Sequence, residues 1–378
     1  MKIVFHCLYY PPEVGGLESH VHQLGRELVT QGHEVHAVTS RSLPGAARKE
    51  TLDGVQVVRT FFPGRNPLGW ILHAVGSIPA LYRAAEGAHI LHAQAFQSVP
   101  PCLLVGRLRK IPVLATFHTS HFLRLAQRRG WRTVLGSLVR RPRYALAAST
   151  EIAQVAQELA PGKKVEALTN GVDTQLFQPD GEAGKGARPV DLPNREGRRI
   201  ILPRRLFPKN GVEYFVRAVP HLETLVGPVQ VCLVGDGPQR GELQELARSL
   251  GVEARLHFLG AHPHGDMPGL LRWAEVAVFP SLMEATSVAA LEAMSTGVPV
   301  AASRVGGLPE IVDEDVGALF PPADPQGLAQ AVAGLLHRND LPAVGARARE
   351  RVVARWSNRR LALRHLEIYQ DALRTEVS

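Results

Sequence analysis

The sequence predicts an α/β protein in two halves, each a parallel sheet wound with crossover helices, and three observations carry that expectation. Short β-branched runs alternate with segments of helical period from one end to the other, which is how parallel strands joined by helices read. The alternation stops at residues 180–198 (DGEAGKGARPVDLPNREGR), a stretch with almost no large apolar side chain, and then restarts. The length, 378 residues, suits two domains of about 150 residues.

Taken in order, Lys2–Cys7 reads as a buried strand. Leu17, Val21, Leu24 and Leu28 recur at helix spacing, Gly32 closes that helix, and Val35–Thr39 begins a second strand. Further strands are expected at 89–92, 113–117, 144–148 and 165–168. After the gap the expectation is a strand at 200–202, a helix from Val212, a strand at 229–234, a helix from Gln239 and a strand at 256–259. A helix near Leu270, a strand at 276–279, a helix at 287–295 and a strand at 298–301 complete the second half. Leu361, Leu363, Leu366, Tyr369 and Leu373 give the segment after Trp356 a helical spacing. The expected division is 1–180, a linker at 181–198, and 199–355. Two Rossmann-like sheets facing one another across a cleft are implied.

Composition narrows the class. With 45% apolar and 21% charged residues the chain is neither disordered nor fibrous. Cys7, Cys102 and Cys232 lie far apart with no CxxC pair, so a disulfide framework or a cysteine-rich zinc site is not expected, and a reducing cytoplasm fits. The opening MKIVFHCLYY is too short for a signal-peptide core, and no run approaches the ~18 apolar residues of a spanning helix. The expectation is a cytoplasmic protein, at most peripheral on a membrane.

The charge is uneven. Residues 1–180 hold 20 basic and 12 acidic side chains, and the rest of the chain holds 23 of each. Arg124–Arg143 contains seven arginines and no acid, interleaved with Leu123, Leu125, Trp131, Leu135, Leu138 and Val139. Such a face is drawn to anionic lipid headgroups or a phosphorylated partner, or it is a solvated surface helix. No aromatic stacking platform or zinc finger accompanies it, so nucleic acid is not expected.

In doubly wound sheets ligands sit beyond the carboxyl ends of the strands, where helix N-termini present bare amides to anions. Three strand-to-helix turns stand there: PPEVGGLE at 11–18, GDGP at 235–238 and PSLMEATSVAALE at 280–292. Gly15 and Gly16 permit close approach of a substrate to the main chain, although structural turns use the same pair. In the third turn the amides near Thr286, Ser287 and Val288 suit a diphosphate, and the carboxylates of Glu284 and Glu292 suit vicinal hydroxyls. That chemistry fits a nucleotide sugar. Arg204, Arg205 and Lys209 in PRRLFPKNG (203–211) supply cations for a diphosphate leaving group, or form a snorkelling surface cluster.

Together these segments resemble the GT-B retaining glycosyltransferases of family 4. The resemblance also runs through TFHTS at 116–120, LTNGVDTQLF at 168–177, LVGDGP at 233–238 and FPSLMEATSVAALEAMSTGVPVAASRVGGLPEIV at 279–312, and spans essentially the whole chain in order. It implies that Gly15 and Gly16 contact the donor, that Arg205 is the diphosphate-binding arginine of the family's GRL segment, and that His118 reaches the transferred sugar. It also implies Glu284 and Glu292 as the two acids of the E-x7-E motif, the first on the sugar and the second on the ribose. Helices after Trp356, about 356–378, are expected to return to the first domain. Retaining transfer of a hexosyl group from a nucleoside diphosphate sugar, most often UDP-linked, to an acceptor hydroxyl is implied, with no metal and no cofactor besides the donor substrate. An epimerase or phosphorylase on the same fold, or a non-catalytic assembly subunit, are the alternatives.

Two departures from the family pattern stand out. Relatives read Lys-Gly where this chain has Asn210 and Gly211, the cation falling one place early at Lys209. Ala285, Thr286 and Ser287 follow Glu284 where relatives have aromatic-Gly. Asp313, Glu314 and Asp315 spell a formal DxD but fall in a loop after GGLPEIV, and read as solvated acids.

Overall fold

The computed structural model describes residues 1–13, 16–118, 120–169, 171–179, 192–193, 196–284 and 287–374. It divides into two units, Met1–Gly171 with Asn358–Ser378, and Val172–Ser357.

The first unit is built on eight strands: β1 (Lys2–Cys7), β2 (Glu34–Ser40), β3 (Lys49–Leu52), β4 (Val55–Thr60), β5 (Ile90–Gln94), β6 (Val113–Phe117), β7 (Tyr144–Ala147) and β8 (Val165–Ala167). They lie in the order β3-β4-β2-β1-β5-β6-β7-β8. Every pairing is parallel except β3 with β4. The sheet is covered by helices on both faces, so β5 and β6 are buried along their whole length; β6 reads in the sequence as a largely apolar run without alternation, whereas β5 carries the buried polar residues His92 and Gln94. The helix Gly16–Thr30 turns Val21, Leu24 and Leu28 into the core.

Two features of this unit were not anticipated. The β3–β4 hairpin turns on Asp53 (φ 46°) and Gly54 (φ 82°), the pair of positive φ angles that a tight type I′ turn requires. The helix Pro67–Gly76 begins with Pro67 in its first turn and Asn66 as its cap, Oδ1 accepting from the Gly69 amide at 2.7 Å.

The second unit is a six-stranded parallel sheet of β9 (Arg198–Leu202), β10 (Val229–Val234), β11 (Leu256–Gly260), β12 (Val276–Phe279), β13 (Val300–Ser303) and β14 (Gly317–Phe320), in the order β11-β10-β9-β12-β13-β14. β13 starts two residues later than expected because Pro299 has no N–H to give the ladder. β14 and the helices Pro325–Leu336 and Leu341–Trp356 extend the fold beyond the sequence expectation.

Residues 172–179, counted above with the first domain, pack in the second unit. Val172 bridges Ser357, and Phe177 is buried, its carbonyl accepting from Ser295 Oγ at 2.5 Å and Arg349 Nη1 at 2.9 Å. The helix expected from about 356 is Asn358–Arg374, set off from the preceding helix Leu341–Trp356 at Ser357, whose backbone is extended (ψ 145°). Asn358–Arg374 then belongs to the first unit, where Ala362, Leu366, Ile368, Tyr369 and Ala372 join the core of β1 and β2. Of the expected linker, residues 181–191 and 194–195 lie outside the described residues. No helix among the described residues is long and apolar enough to cross a membrane.

Candidate active site

In the second sheet β9 has β10 on one side and β12 on the other. The chain winds outward from β9 in one direction and returns to β12 in the other, so the carboxyl ends of β9 and β12 flank the crevice where such sheets bind ligands. The turns that leave these strands meet there. Arg204, just past β9, donates from Nη2 to Ser281 Oγ at 2.6 Å, to Asn210 Oδ1 at 3.1 Å and to the carboxylate of Glu284, just past β12. The Arg204 and Glu284 side chains are only 10% and 16% exposed.

Backbone stitching fixes these turns. The carbonyl of Lys209 accepts from the Leu282 amide at 2.8 Å, and the Leu206 amide donates to Asp236 O in the GDGP turn at 3.0 Å. Gly235 (φ 143°) lies so close that a Cβ there would stand 2.3 Å from Arg204 O. A Cβ on Gly306 (φ 51°) would stand 1.6 Å from Glu284 O. Both positions need glycine, for the backbone angle and for the approach.

Ser287 is the cap of the helix Val288–Ser295, its Oγ accepting from the Ala290 amide at 3.3 Å. The same helix carries Glu292, 8% exposed, whose Oε1 lies 2.8 Å from His264 Nε2. That carboxylate holds the His264 imidazole above its ordinary pKa, against the opposing effect of burial. The edge of the His264 ring also meets Phe177, centroids 5.1 Å apart. Arg205 and Lys209 are exposed, and the Arg205 guanidinium lies 5.7 Å from the Phe207 ring centroid. Of the two adjacent arginines, therefore, Arg204 is the one buried against Glu284, and Arg205 is exposed. Thr286 lies outside the described residues.

The first sheet has its own reversal of winding at β1 and β5. His118 follows β6, and its Nε2 lies 2.8 Å from Oε1 of Gln94, the last residue of β5. An amide oxygen only accepts, so Nε2 carries the proton and Nδ1 is left as an acceptor. Nδ1 is buried without a partner among the described residues. Burial, and then the neighbouring His92 and His365, push His118 down to about 3, so the ring is neutral at neutral pH. The His20 ring packs 4.8 Å from it. Ala95, next to Gln94, has φ 116°, a strained angle of the kind that collects at ligand sites. Gly16 opens the helix Gly16–Thr30, and Gly15 lies outside the described residues.

Comparison with known proteins decides the family. The model of Glycosyltransferase Family 4 matches residues 14–176, and that of Glycosyl transferases group 1 matches residues 187–351. The glycogen synthase of Mycobacterium tuberculosis is 27% identical over 416 residues, covering 100% of this chain and 96% of the relative. The GDP-mannose-dependent alpha-(1-6)-phosphatidylinositol monomannoside mannosyltransferase of the same species is 28% identical over 369 residues, 92% of each chain. Sucrose-phosphate synthase from Thermosynechococcus elongatus shares the fold with a TM-score of 0.80, at 24% identity over 99% of both chains. The chain belongs to the GT-B glycosyltransferases of the family 4 type.

For a family 4 glycosyltransferase, the structure adds Ser281 and His264 to the residues that the sequence singles out. Ser281 and His264 join Arg204 in contact with the two motif glutamates, and Asn210 accepts from Arg204. Arg204 stands in the sequence among the candidate cations of PRRLFPKNG, and the signal for His264 is the histidine-rich turn AHPHGD. The DxD acids have local partners, Asp313 and Asp315 lying 2.6 and 3.5 Å from the Arg351 guanidinium.

Proposed function

We propose that this glycosyltransferase moves a hexosyl group from a nucleoside diphosphate sugar, UDP-linked in the first instance, to an acceptor hydroxyl with retention and without a metal. The observation that carries the donor class is the Arg204–Glu284 contact at the crevice between β9 and β12. It supports this reading because a cation and a hydrogen-bonding carboxylate lie together in that crevice, the pair of groups that a sugar diphosphate needs. Retention and metal independence follow the family resemblance. The names of the relatives, a glycogen synthase and a GDP-mannose-dependent enzyme, support a nucleotide sugar and keep guanosine among the bases to test.

In this reading Glu284 accepts from sugar hydroxyls and Glu292 from the ribose. Amides at Ser287 and Val288 and the guanidinium offset the charge that grows on the leaving diphosphate. The bond from the anomeric carbon to the phosphate oxygen breaks as that from the acceptor oxygen forms on the same face, and the leaving phosphate oxygen takes the acceptor proton. The test is a panel of UDP-, GDP- and ADP-linked hexoses with sugar, lipid and small-metabolite acceptors. The expected result is release of one nucleoside diphosphate, unaffected by chelator, and an α-linked product from an α-linked donor. Binding of none of the donors would end the proposal.

A second reading, of where the first unit works, is favoured by an exposed apolar row. Leu68, Ile71, Leu72 and Val75 recur at i, i+3, i+4 and i+7 on the helix Pro67–Gly76, between 48% and 65% exposed. Trp70 of this helix lies 5.5 Å from the His121 ring, and burial with the charges of Arg124 and Arg128 holds that imidazole below its usual pKa. The apolar row thus stands beside the arginine run, whose next helix, Arg129–Arg140, buries Leu135 and Val139 and leaves Arg129, Arg132 and Arg140 exposed. An apolar strip flanked by acid-free arginines fits an anionic bilayer surface, each basic residue adding about 1 kcal/mol. Reversing Arg128 and Arg129 to glutamate should lower cosedimentation with phosphatidylglycerol vesicles more than about tenfold. Equal binding to phosphatidylcholine, or no loss in the variant, would refute it.

A further inference from the structure

We propose that Arg204 is the cation that grips the donor diphosphate in this chain, in place of the lysine that family 4 relatives carry at the position of Asn210. Given the donor reading above, it deepens the chemistry of that same site.

Two departures from the family pattern compensate one another. In the family resemblance Arg205 matches the arginine of the GRL segment, which sets Arg204 in the place of its glycine. Asn210 occupies the place of the lysine. Against that pattern one position lacks a positive charge and the other carries one. The structure brings the two together, with Arg204 Nη2 donating to Asn210 Oδ1 at 3.1 Å. The guanidinium therefore sits at the head of the buried residue 210 side chain.

Arg204 is also incompletely satisfied. Its side chain is 10% exposed, and Nη2 alone serves Asn210, Ser281 and Glu284. Nε is buried without a hydrogen-bond partner among the described residues. The underlying Phe279 ring, its centroid 5.7 Å from Cζ, offers no acceptor oxygen. A buried arginine–glutamate pair adds little net stability, because the cost of desolvating both charges offsets their attraction. A buried N–H left unpaired adds a further cost. A phosphate oxygen supplies the missing acceptor, and the planar fork of a guanidinium can hold it while Nη2 still orients Glu284. Arg205 and Lys209, the other cations of the segment, are exposed.

The rival role is a staple that joins the turns after β9 and β12 and never touches ligand. A charge-transplant series separates the two. Wild type, Arg204→Gln, Arg204→Lys, Asn210→Lys and the double variant Arg204→Gln/Asn210→Lys are titrated by calorimetry with UDP, GDP and ADP, and with the nucleoside of whichever diphosphate binds. Thermal melting is recorded alongside.

The expected result is that Arg204→Gln weakens the diphosphate about 30-fold and the nucleoside less than about threefold, the loss expected of one charge-assisted contact. The double variant should recover about tenfold of that loss, and Arg204→Lys should fall between wild type and glutamine. A staple predicts equal losses for diphosphate and nucleoside, and no recovery when lysine is placed at 210. Either of those results overturns the assignment, as does wild-type affinity in both Arg204→Gln and Arg204→Lys. If wild type binds none of the three diphosphates, the donor reading itself fails and Arg204 loses its ligand with it. If Arg204→Gln does not fold, the Arg204→Lys and Asn210→Lys titrations decide. An added cation at 210 that leaves diphosphate affinity unchanged while lysine at 204 matches wild type on the nucleoside and loses the diphosphate still supports the assignment; a parallel loss of both ligands in Arg204→Lys defeats it.

Discussion

Replacing Glu292 with alanine is expected to weaken binding of a nucleoside diphosphate by about 30-fold or more, with little change in melting temperature. The size follows from a carboxylate that accepts from two ribose hydroxyls, charge-assisted bonds worth about 2 kcal/mol together after exchange with water. Stability should be nearly spared because the partner of Glu292 in the free protein, His264, has a side chain 56% exposed that water can satisfy. The pair also makes affinity depend on pH. Glu292 raises the His264 pKa above its usual 6.5, chiefly by their hydrogen bond. Below that raised value the imidazolium holds the carboxylate, and as pH rises through it the ion pair is lost and ribose competes more easily. Affinity should therefore rise across this window in wild type and stay flat in His264→Ala. Calorimetric titration between pH 6 and 8, with the His264 ring followed by NMR, checks both statements. Undiminished affinity in Glu292→Ala would remove Glu292 from the nucleotide site.

The parts of the fold that were legible in the sequence are those where one physical rule acts alone. β1, β6 and β12 are buried on both faces, so they appear as short apolar runs with their correct limits. The hairpin at Asp53–Gly54 carried a recognisable turn signal, but β3 (KETL) has too few apolar residues to announce a strand and was passed over. The helix Pro67–Gly76 had its proline and its asparagine cap in plain view. Its apolar row faces outward, against the rule by which helices are usually found. At the candidate site the sequence located the turns and both motif glutamates. It singled out Arg205, through the family resemblance, and left Arg204 as one of three cations, because which of two neighbouring residues packs against Glu284 is set by tertiary contacts. Nor could spacing join His264 to Glu292, 28 residues away, or gather His20, His92, His118 and His365 from four separate elements.

Those gathered histidines lead to the second large effect, loss of stability in the first unit on mild acidification. His6, His20, His92 and His365 are buried in that unit, and His118 is half-buried. Burial pushes His6 and His118 down to about 3, His365 to about 4, and His20 and His92 well below their ordinary value. Their hydrogen bonds suit neutral rings. His92 lies between Tyr369 OH at 2.8 Å and Thr116 Oγ1 at 2.7 Å, and His6 Nε2 is 2.8 Å from Ser77 Oγ. The unfolded chain titrates these groups near 6.5. Above that pH neither state is protonated and stability is at its full value. Below it the unfolded chain takes up protons that the folded unit refuses, so stability falls as pH falls, and each histidine continues to contribute until its own depressed value is reached. Each costs about 1.4 kcal/mol per pH unit, so three acting together remove about 4 kcal/mol between pH 6 and pH 5, comparable with the whole stability of a modest domain. The second unit lacks this burden among its described histidines, since His257 is only partly buried and His264 is shifted upward. Denaturant unfolding at half-unit steps from pH 7 to pH 5, followed by hydrogen exchange on peptides of β1, β5 and β6 and of β9, β10 and β12, should show uptake of three or more protons on unfolding near pH 5.5, with the first set of strands losing protection at the higher pH. Uptake of fewer than one proton, or earlier loss in the second set, would mean that the histidine cluster is solvated and not held neutral by burial.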